Sequence, residues 1–136
     1  MKKKSYVPIN DPAEAFLIFR DELTPELTEV RGEKVYIDLG DYAHLWAHAE
    51  MFSRVRWIAE TLKNPEGIRR HPNKRKPFRE IYINTIFTHP ADAVGEPHLV
   101  VVDRGLKLEF WTSFVPEEES YVTRMRRGKL LWKPES

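Results

Sequence analysis

The hydrophobic rhythm of this chain changes once, around Asn64-Pro65 and the basic stretch that follows, and that switch limits the folds open to it. Before it, apart from a short alternating stretch at 33–39, apolar residues recur at helical spacing. After it, they alternate with the period of two that marks half-buried strands. Helical signals come first and strand signals later, with no strand-helix-strand alternation and no internal repeat. The expected class is therefore α+β, with N-terminal helices packed on a small antiparallel β-sheet. A length of 136 residues, with 41% hydrophobic side chains, suits a single core. The expected plan is one domain over 1–136, with a loose arm over 1–10, a mainly helical part over 11–63, and a sheet part over 80–132 that includes a helix near 117–127.

Local signals fill in this plan. Asp11-Pro12 reads as an N-cap and N1 proline ahead of a helix over Ala13 to Leu23. Residues 33–39 alternate as a short strand, and Gly40-Asp41 then opens the strongest helical pattern, over 42–63. On one helix of that length His44, His48, Met51, Val55, Ile58 and Leu62 fall on a single inward stripe, so both histidines are expected to face the core side. Asn64-Pro65 ends the helix, and a short turn is expected at Glu66 to Arg70. Strands are expected over 80–87, 98–103 and 106–115. In the last, Leu106, Leu108, Phe110, Thr112 and Phe114 share a face, and Thr112 is its polar exception. Pro116, three glutamates and a basic end closed by Gly128 match a helix from start to C-cap, and Lys129 to Trp132 read as a last strand.

Composition removes several classes of function. With no cysteine, disulfides and thiolate metal sites are excluded. No window carries the ~20 apolar residues of a membrane span, and Met1-Lys2-Lys3-Lys4 opens no signal peptide, so a soluble protein without membrane partners is expected in the cytoplasm. Walker, Rossmann and nucleophile-elbow patterns are missing, which argues against a nucleotide cofactor. Net charge is only +1, but cations cluster. Arg69, Arg70, Lys74, Arg75, Lys76 and Arg79 fall in one stretch without an acid, and Arg124, Arg126, Arg127 and Lys129 form a second cluster. Two such clusters in a small domain point toward a polyanion.

The chemistry-bearing pattern is His44-x-x-x-His48, two imidazoles one helical turn apart. Zinc sites use that spacing, and so do pairs of acid/base groups and hydrogen-bonded core histidines. A metal would need a third ligand from His89, His98 or an acid, and Leu45 stands where a zinc protease carries glutamate, so no metal or other cofactor is expected. Histidines facing a sheet that offers Thr112, with arginines nearby, suit phosphodiester transfer: an imidazole moves the proton of a ribose 2′-OH while a guanidinium neutralises the transition state.

The segments His44-Leu-Trp-Ala-His48-Ala-Glu50 and Trp57-Ile-Ala-Glu-Thr-Leu-Lys-Asn-Pro65-Glu-Gly-Ile-Arg69, with Ile81-Tyr82-Ile83 and Trp111-Thr112-Ser113-Phe114 later, resemble the phage-associated branch of the barnase/EndoU/colicin/RelE-like (BECR) nuclease superfamily. Ala49 stands where that branch usually has proline. The resemblance implies a BECR-like fold and a metal-independent endoribonuclease that cleaves RNA to a 2′,3′-cyclic phosphate. It implies His48 as the acid/base histidine, Thr112 as the strand hydroxyl and Arg69 as the basic position after the proline turn. His44 is a second proton-transfer candidate. Arg70, Lys74, Arg75 and Lys76 are candidates for holding phosphates, with Tyr82 and Arg124 as auxiliaries. Expected partners are RNA and, for a toxin or prophage protein, an antitoxin or immunity protein. Two other readings stay open: a noncatalytic RNA- or protein-binding module, and a prophage or toxin-antitoxin accessory protein that works by interaction alone.

Overall fold

Asp11 begins the first helix as its sequence demands, its Oδ1 accepting from the Ala13 amide at 2.9 Å with Pro12 at the first helical position. The computed structural model describes residues 8–89 and 91–135, and of Trp46 its backbone. Helix α1 (Pro12–Ile18) runs on through a wider π-type turn, Phe19–Leu23. Then come strands β1 (Glu26–Thr28) and β2 (Lys34–Tyr36), helices α2 (Asp41–His44) and α3 (Val55–Lys63), and strands β3 (Gly67–Arg70), β4 (Arg79–Ile86), β5 (Glu96–Arg104) and β6 (Leu108–Phe114). Helix α4 (Glu119–Met125) and strand β7 (Leu130–Trp132) complete the chain. No helix among the described residues is long and apolar enough to cross a membrane.

The class is α+β, but the sheet is neither small nor wholly antiparallel. Seven strands pair in the order β1-β2-β6-β5-β4-β3-β7, and β2 lies parallel to β6. Two of these strands were not expected. β1 is three residues long, and β3 occupies the place of the expected turn at 66–70. Both are too short for periodicity to show; β1 pairs with the equally short β2, and β3 pairs along the longer β4 from Gly67↔Ile83 to Arg70↔Glu80. Of the expected arm, residues 1–7 lie outside the described region; Ile9 packs on the core and donates its amide to the Ser53 carbonyl.

The sheet has two covered faces. Against one, Phe19, Leu45, Met51, Ile58 and Leu62 from the helical segments meet Val35, Tyr82, Val100, Val102, Leu108 and Phe110 in the main core. On the other, Val122 and Met125 of α4 cover Ile81, Ile83, Leu99 and Val101. The main face is also cross-tied by charge. Arg31 bonds Glu29, Glu80 and the Tyr82 hydroxyl, and Arg104 bonds Glu33 and Glu80, stitching the β1–β2 turn to the middle of the sheet.

Gly128 is a glycine because of crowding. Gly32 is the one described glycine with positive φ (87°), whereas a Cβ on Gly128 would run into the Arg70 carbonyl. Close passage of β3, and not a left-handed C-cap, dictates the residue.

Candidate active site on the exposed sheet face

The helix expected over 42–63 is interrupted, and the interruption decides where both histidines go. After α2 the chain makes a 3-10 turn over Leu45–Ala47, breaks at His48 (φ −130°, ψ 72°), makes a second 3-10 segment over Ala49–Ser53, and only then enters α3. Local bonds compete with the α-helical ladder. The Glu50 carbonyl accepts from the Ser53 hydroxyl and the Arg54 guanidinium, while the Arg54 amide bonds back only three residues, to Met51. The break lets Leu45 and Met51, six residues apart, both be fully buried. It also removes the common inward stripe: His44 is exposed and His48 half-buried. The chain breaks at His48 although Ala49, not proline, follows.

A second correction concerns β6. Register shifts between the Val101↔Thr112 and Val102↔Phe110 pairs, so two residues, Trp111 and Thr112, share the space opposite Val101. Leu108 and Phe110 therefore point into the main core, whereas Thr112 and Phe114 turn to the α4 face. Ser113, not Thr112, is the polar residue on the helix-covered side, buried against Met51 and His98. Leu106 lies in the hairpin turn, fully exposed.

Strand pairing maps the α4 face as a grid. One cross-strand row reads Tyr36, Glu109, Asp103, Arg79 over β2, β6, β5 and β4. The next reads Trp111 with Thr112, then Val101, Ile81 and Arg69, ending on β3. Phe114 lies two residues beyond Thr112, about 7 Å along the strand. Helix α4 covers Val101 and Ile81, leaving the β6 side of both rows open. Onto this open corner the broken segment brings its histidines. His48 stacks on Phe114 (centroids 5.0 Å, interplanar angle 23°), and His44 meets Trp111 edge-on at 6.5 Å. The two imidazoles thus sit at ring neighbours on either side of Thr112.

Cations reach the corner from two directions. The Arg79 guanidinium lies 4.9 Å from the Trp111 ring and is held by Asp103 at 2.9 Å. Arg124 of α4 lies 5.0 Å from the Tyr121 ring, which itself packs edge-on against Phe114. Behind Arg79, partial burial and then the charges of Lys76, Arg79 and Arg124 hold the His71 pKa below its ordinary value. The Asn73 amide donates to His71 Nδ1 at 3.0 Å, so a neutral His71 carries its proton on Nε2 and offers an N–H toward anions.

A cavity of about 590 Å³ opens beside His48, lined by Phe114 and Tyr121 and edged by Arg54, Glu50, Glu96 and Glu118. Its edge is therefore acidic, with Arg54 as its cation. Among the described residues no group of three or more His, Asp or Glu could hold a metal ion. His98 in particular is buried between Thr61 and Ser113, far from any ligand set.

Several expected site residues lie elsewhere. Arg69 shares Thr112's row but sits three strands away, about 14 Å at the usual spacing, behind α4, where its Nη1 bonds the Gly128 carbonyl. Tyr82 is fully buried on the opposite face, its hydroxyl donating to Glu29 Oε2 at 2.8 Å. Arg70 is exposed and pairs across from Glu80, again on the opposite side. Lys74, Arg75 and Lys76 are exposed in the loop before β4. Arg79, Trp111 and Tyr121 belong to the corner although the sequence pattern does not nominate them. Arg79 could have been found as the last cation of the basic stretch, placed on a strand by Ile81 and Ile83.

Compared with known families, residues 14–133 match the one described as phage-Barnase-EndoU-ColicinE5/D-RelE like nuclease2, PBECR2. The chain belongs to this family. The match covers every strand and helix from β1 through β7 and so takes in the whole corner, His44, His48, Arg79, Thr112 and Arg124 included. None of the curated proteins and none of the solved structures matches the chain. In a PBECR2 chain, an exposed sheet corner that carries imidazoles, a hydroxyl and guanidinium groups is equipped to move a proton and bind a phosphodiester.

Proposed function

We propose that this PBECR2 chain is a metal-independent endoribonuclease. The reading is supported above all by one observation: on β6, beside Thr112, Trp111 meets both His44 and Arg79 while Phe114 carries His48, with Arg124 at the neighbouring Tyr121. His48 takes the proton of a ribose 2′-OH, and the oxygen attacks the adjacent phosphorus in line. The bond to the 5′-oxygen breaks, leaving a 2′,3′-cyclic phosphate, and the departing oxygen takes a proton from His44. The Thr112 hydroxyl donates to a non-bridging oxygen while Arg79 and Arg124 neutralise the charge that builds there. Because the nucleophile is part of the substrate, the scheme requires no metal ion. Lys74, Arg75 and Lys76 extend the phosphate track, and Arg69 remains behind α4 as a structural tie.

The test is incubation of total RNA with the purified chain in excess EDTA, followed by analysis of product ends. Fragments ending in 2′,3′-cyclic phosphate are expected, with loss of about 10²-fold or more in rate for His48→Ala at unchanged thermal stability. Intact RNA overturns the reading, and full activity of His48→Ala overturns the choice of base. Salt-sensitive RNA retention without cleavage would make the chain a binding module instead.

A further inference from the structure

Of the large hydrophobic side chains exposed among the described residues, Tyr36, Phe78, Leu106 and Trp111 gather beside one another. They surround the first row of the grid, and cations separate them. Trp111 carries the Arg79 guanidinium at 4.9 Å. Arg79 and the neighbouring Phe78 line a cavity of about 790 Å³ between the basic loop and the β5–β6 hairpin, shared with Arg75, Lys76, Leu106 and Lys107. Lys107 Nζ lies 4.4 Å from the Tyr36 ring at the far end. The Phe78 carbonyl accepts from the Arg104 amide at 2.8 Å, which fixes the loop against the hairpin while leaving the Phe78 ring 68% exposed. Ring and cation therefore alternate along a strip: Trp111, Arg79, Phe78, Lys107, Tyr36.

We infer that this strip is a binding track for a single-stranded segment of RNA flanking the cleavage corner, so that the enzyme selects unpaired RNA. The inference rests on the proposed nuclease reading. Exposed rings separated by cations match a chain whose flat bases and phosphates also alternate, and only unpaired bases can use them, because a duplex stacks its base faces on one another. A protein partner would favour a contiguous apolar patch depleted in lysine. The charges agree: Arg75, Lys76, Arg79 and Lys107 outnumber Asp103 and Glu109, and Asp103 is already paired with Arg79. The strip runs directly into Trp111, where His44 and Thr112 begin, so a strand lying on it is led to the proposed reaction centre.

The test uses a fluorescent octaribonucleotide with every 2′-hydroxyl methylated, which the proposed mechanism cannot cleave, and reads anisotropy with the full chain. Single strand is expected to bind at least about tenfold more tightly than the blunt duplex of the same sequence. Phe78→Ala and Trp111→Ala are each expected to weaken it about tenfold, within the range for loss of one base–aromatic stack. Leu17→Ala, exposed on α1, serves as the control and should change nothing; unaltered melting temperatures show that all three variants fold. Equal affinity for duplex, insensitivity to both ring variants, or binding of neither probe overturns the track. Cleavage without strand preference would defeat this inference alone, whereas strand-selective binding by a chain that leaves RNA intact would defeat only the nuclease reading.

Discussion

His98 provides a sharp test of how this fold is held together. Its ring is fully buried beneath Trp57, with Thr61 Oγ1 2.7 Å from Nδ1 and Ser113 Oγ 2.6 Å from Nε2. Ser113 also donates to the Leu99 carbonyl at 3.0 Å, so its oxygen accepts from Nε2–H and Thr61 donates to Nδ1. That chain of bonds requires neutral imidazole, and burial, aided by the charge of Arg54, pushes the His98 pKa down to about 3. An unfolded histidine titrates near 6.5, so the unfolded state binds more protons below that pH. Stability is therefore complete above about pH 6.5 and is lost as pH falls toward 3. Linkage puts the loss at about 2 kcal/mol by pH 5, with a ceiling of about 5 kcal/mol below pH 3. Glu80 and Glu33, whose pKa values are lowered by Arg104, lose their contributions only as pH falls below the ordinary glutamate range, which lies below the interval between pH 7.5 and pH 5. His71 shifts in the same direction as His98 but contributes equally to wild type and variant. Urea unfolding at pH 7.5 and pH 5 should show His98→Gln losing about 2 kcal/mol less than wild type across the interval. The imidazole of His98 in the wild type should show no NMR titration down to about pH 4.5. Equal pH dependence in the two proteins, or titration near 6.5, would refute the reasoning.

Three further outcomes follow from particular contacts. Arg124→Ala is expected to slow RNA cleavage by about tenfold or more, while Arg69→Ala stays within about threefold, because the proposed mechanism uses Arg124 and leaves Arg69 tied to the Gly128 carbonyl; initial rates on one RNA substrate decide this. Tyr82→Phe leaves a buried Glu29 oxygen and Arg31 without their shared hydroxyl and should cost about 1–3 kcal/mol in chemical unfolding with cleavage unchanged per folded molecule. Gly128→Ala forces the Arg70 carbonyl aside and should lower the melting temperature by several degrees, with the fastest amide exchange appearing in β3 and β7; an unshifted transition would show that the strands give way freely.

Much of this arrangement was legible before any coordinates. The Asp11-Pro12 cap declares itself through its capping chemistry, and the long strands β4, β5 and β6 through apolar, β-branched and aromatic runs of seven or more residues. His48 and Thr112 are selected by residue type and by family-like pattern, and in the fold His48 stacks on Phe114, two residues along β6 from Thr112. Arg69 was chosen from its distance in sequence after Pro65, which says nothing about the three strands that separate it from Thr112. Tyr82 looked like a strand tyrosine available to substrate; the Glu29 and Arg31 groups that claim its hydroxyl lie some fifty residues away in sequence.

The sequence by itself determined the class, the longer strands, the first helix start and the kinds of side chain available for chemistry, because periodicity, caps and composition are local properties. Tertiary structure alone decided which of those side chains meet. Helical propensity over 42–63 gave way to side-chain bonds at Glu50 and to burial of Leu45 and Met51 together, which turned His48 outward onto Phe114. One extra residue in β6 exchanged Thr112 and Ser113 between faces, since a strand's side chains alternate and a bulge of one residue reverses everything beyond it. Both outcomes depend on partners remote in the chain, and a local pattern carries no record of them.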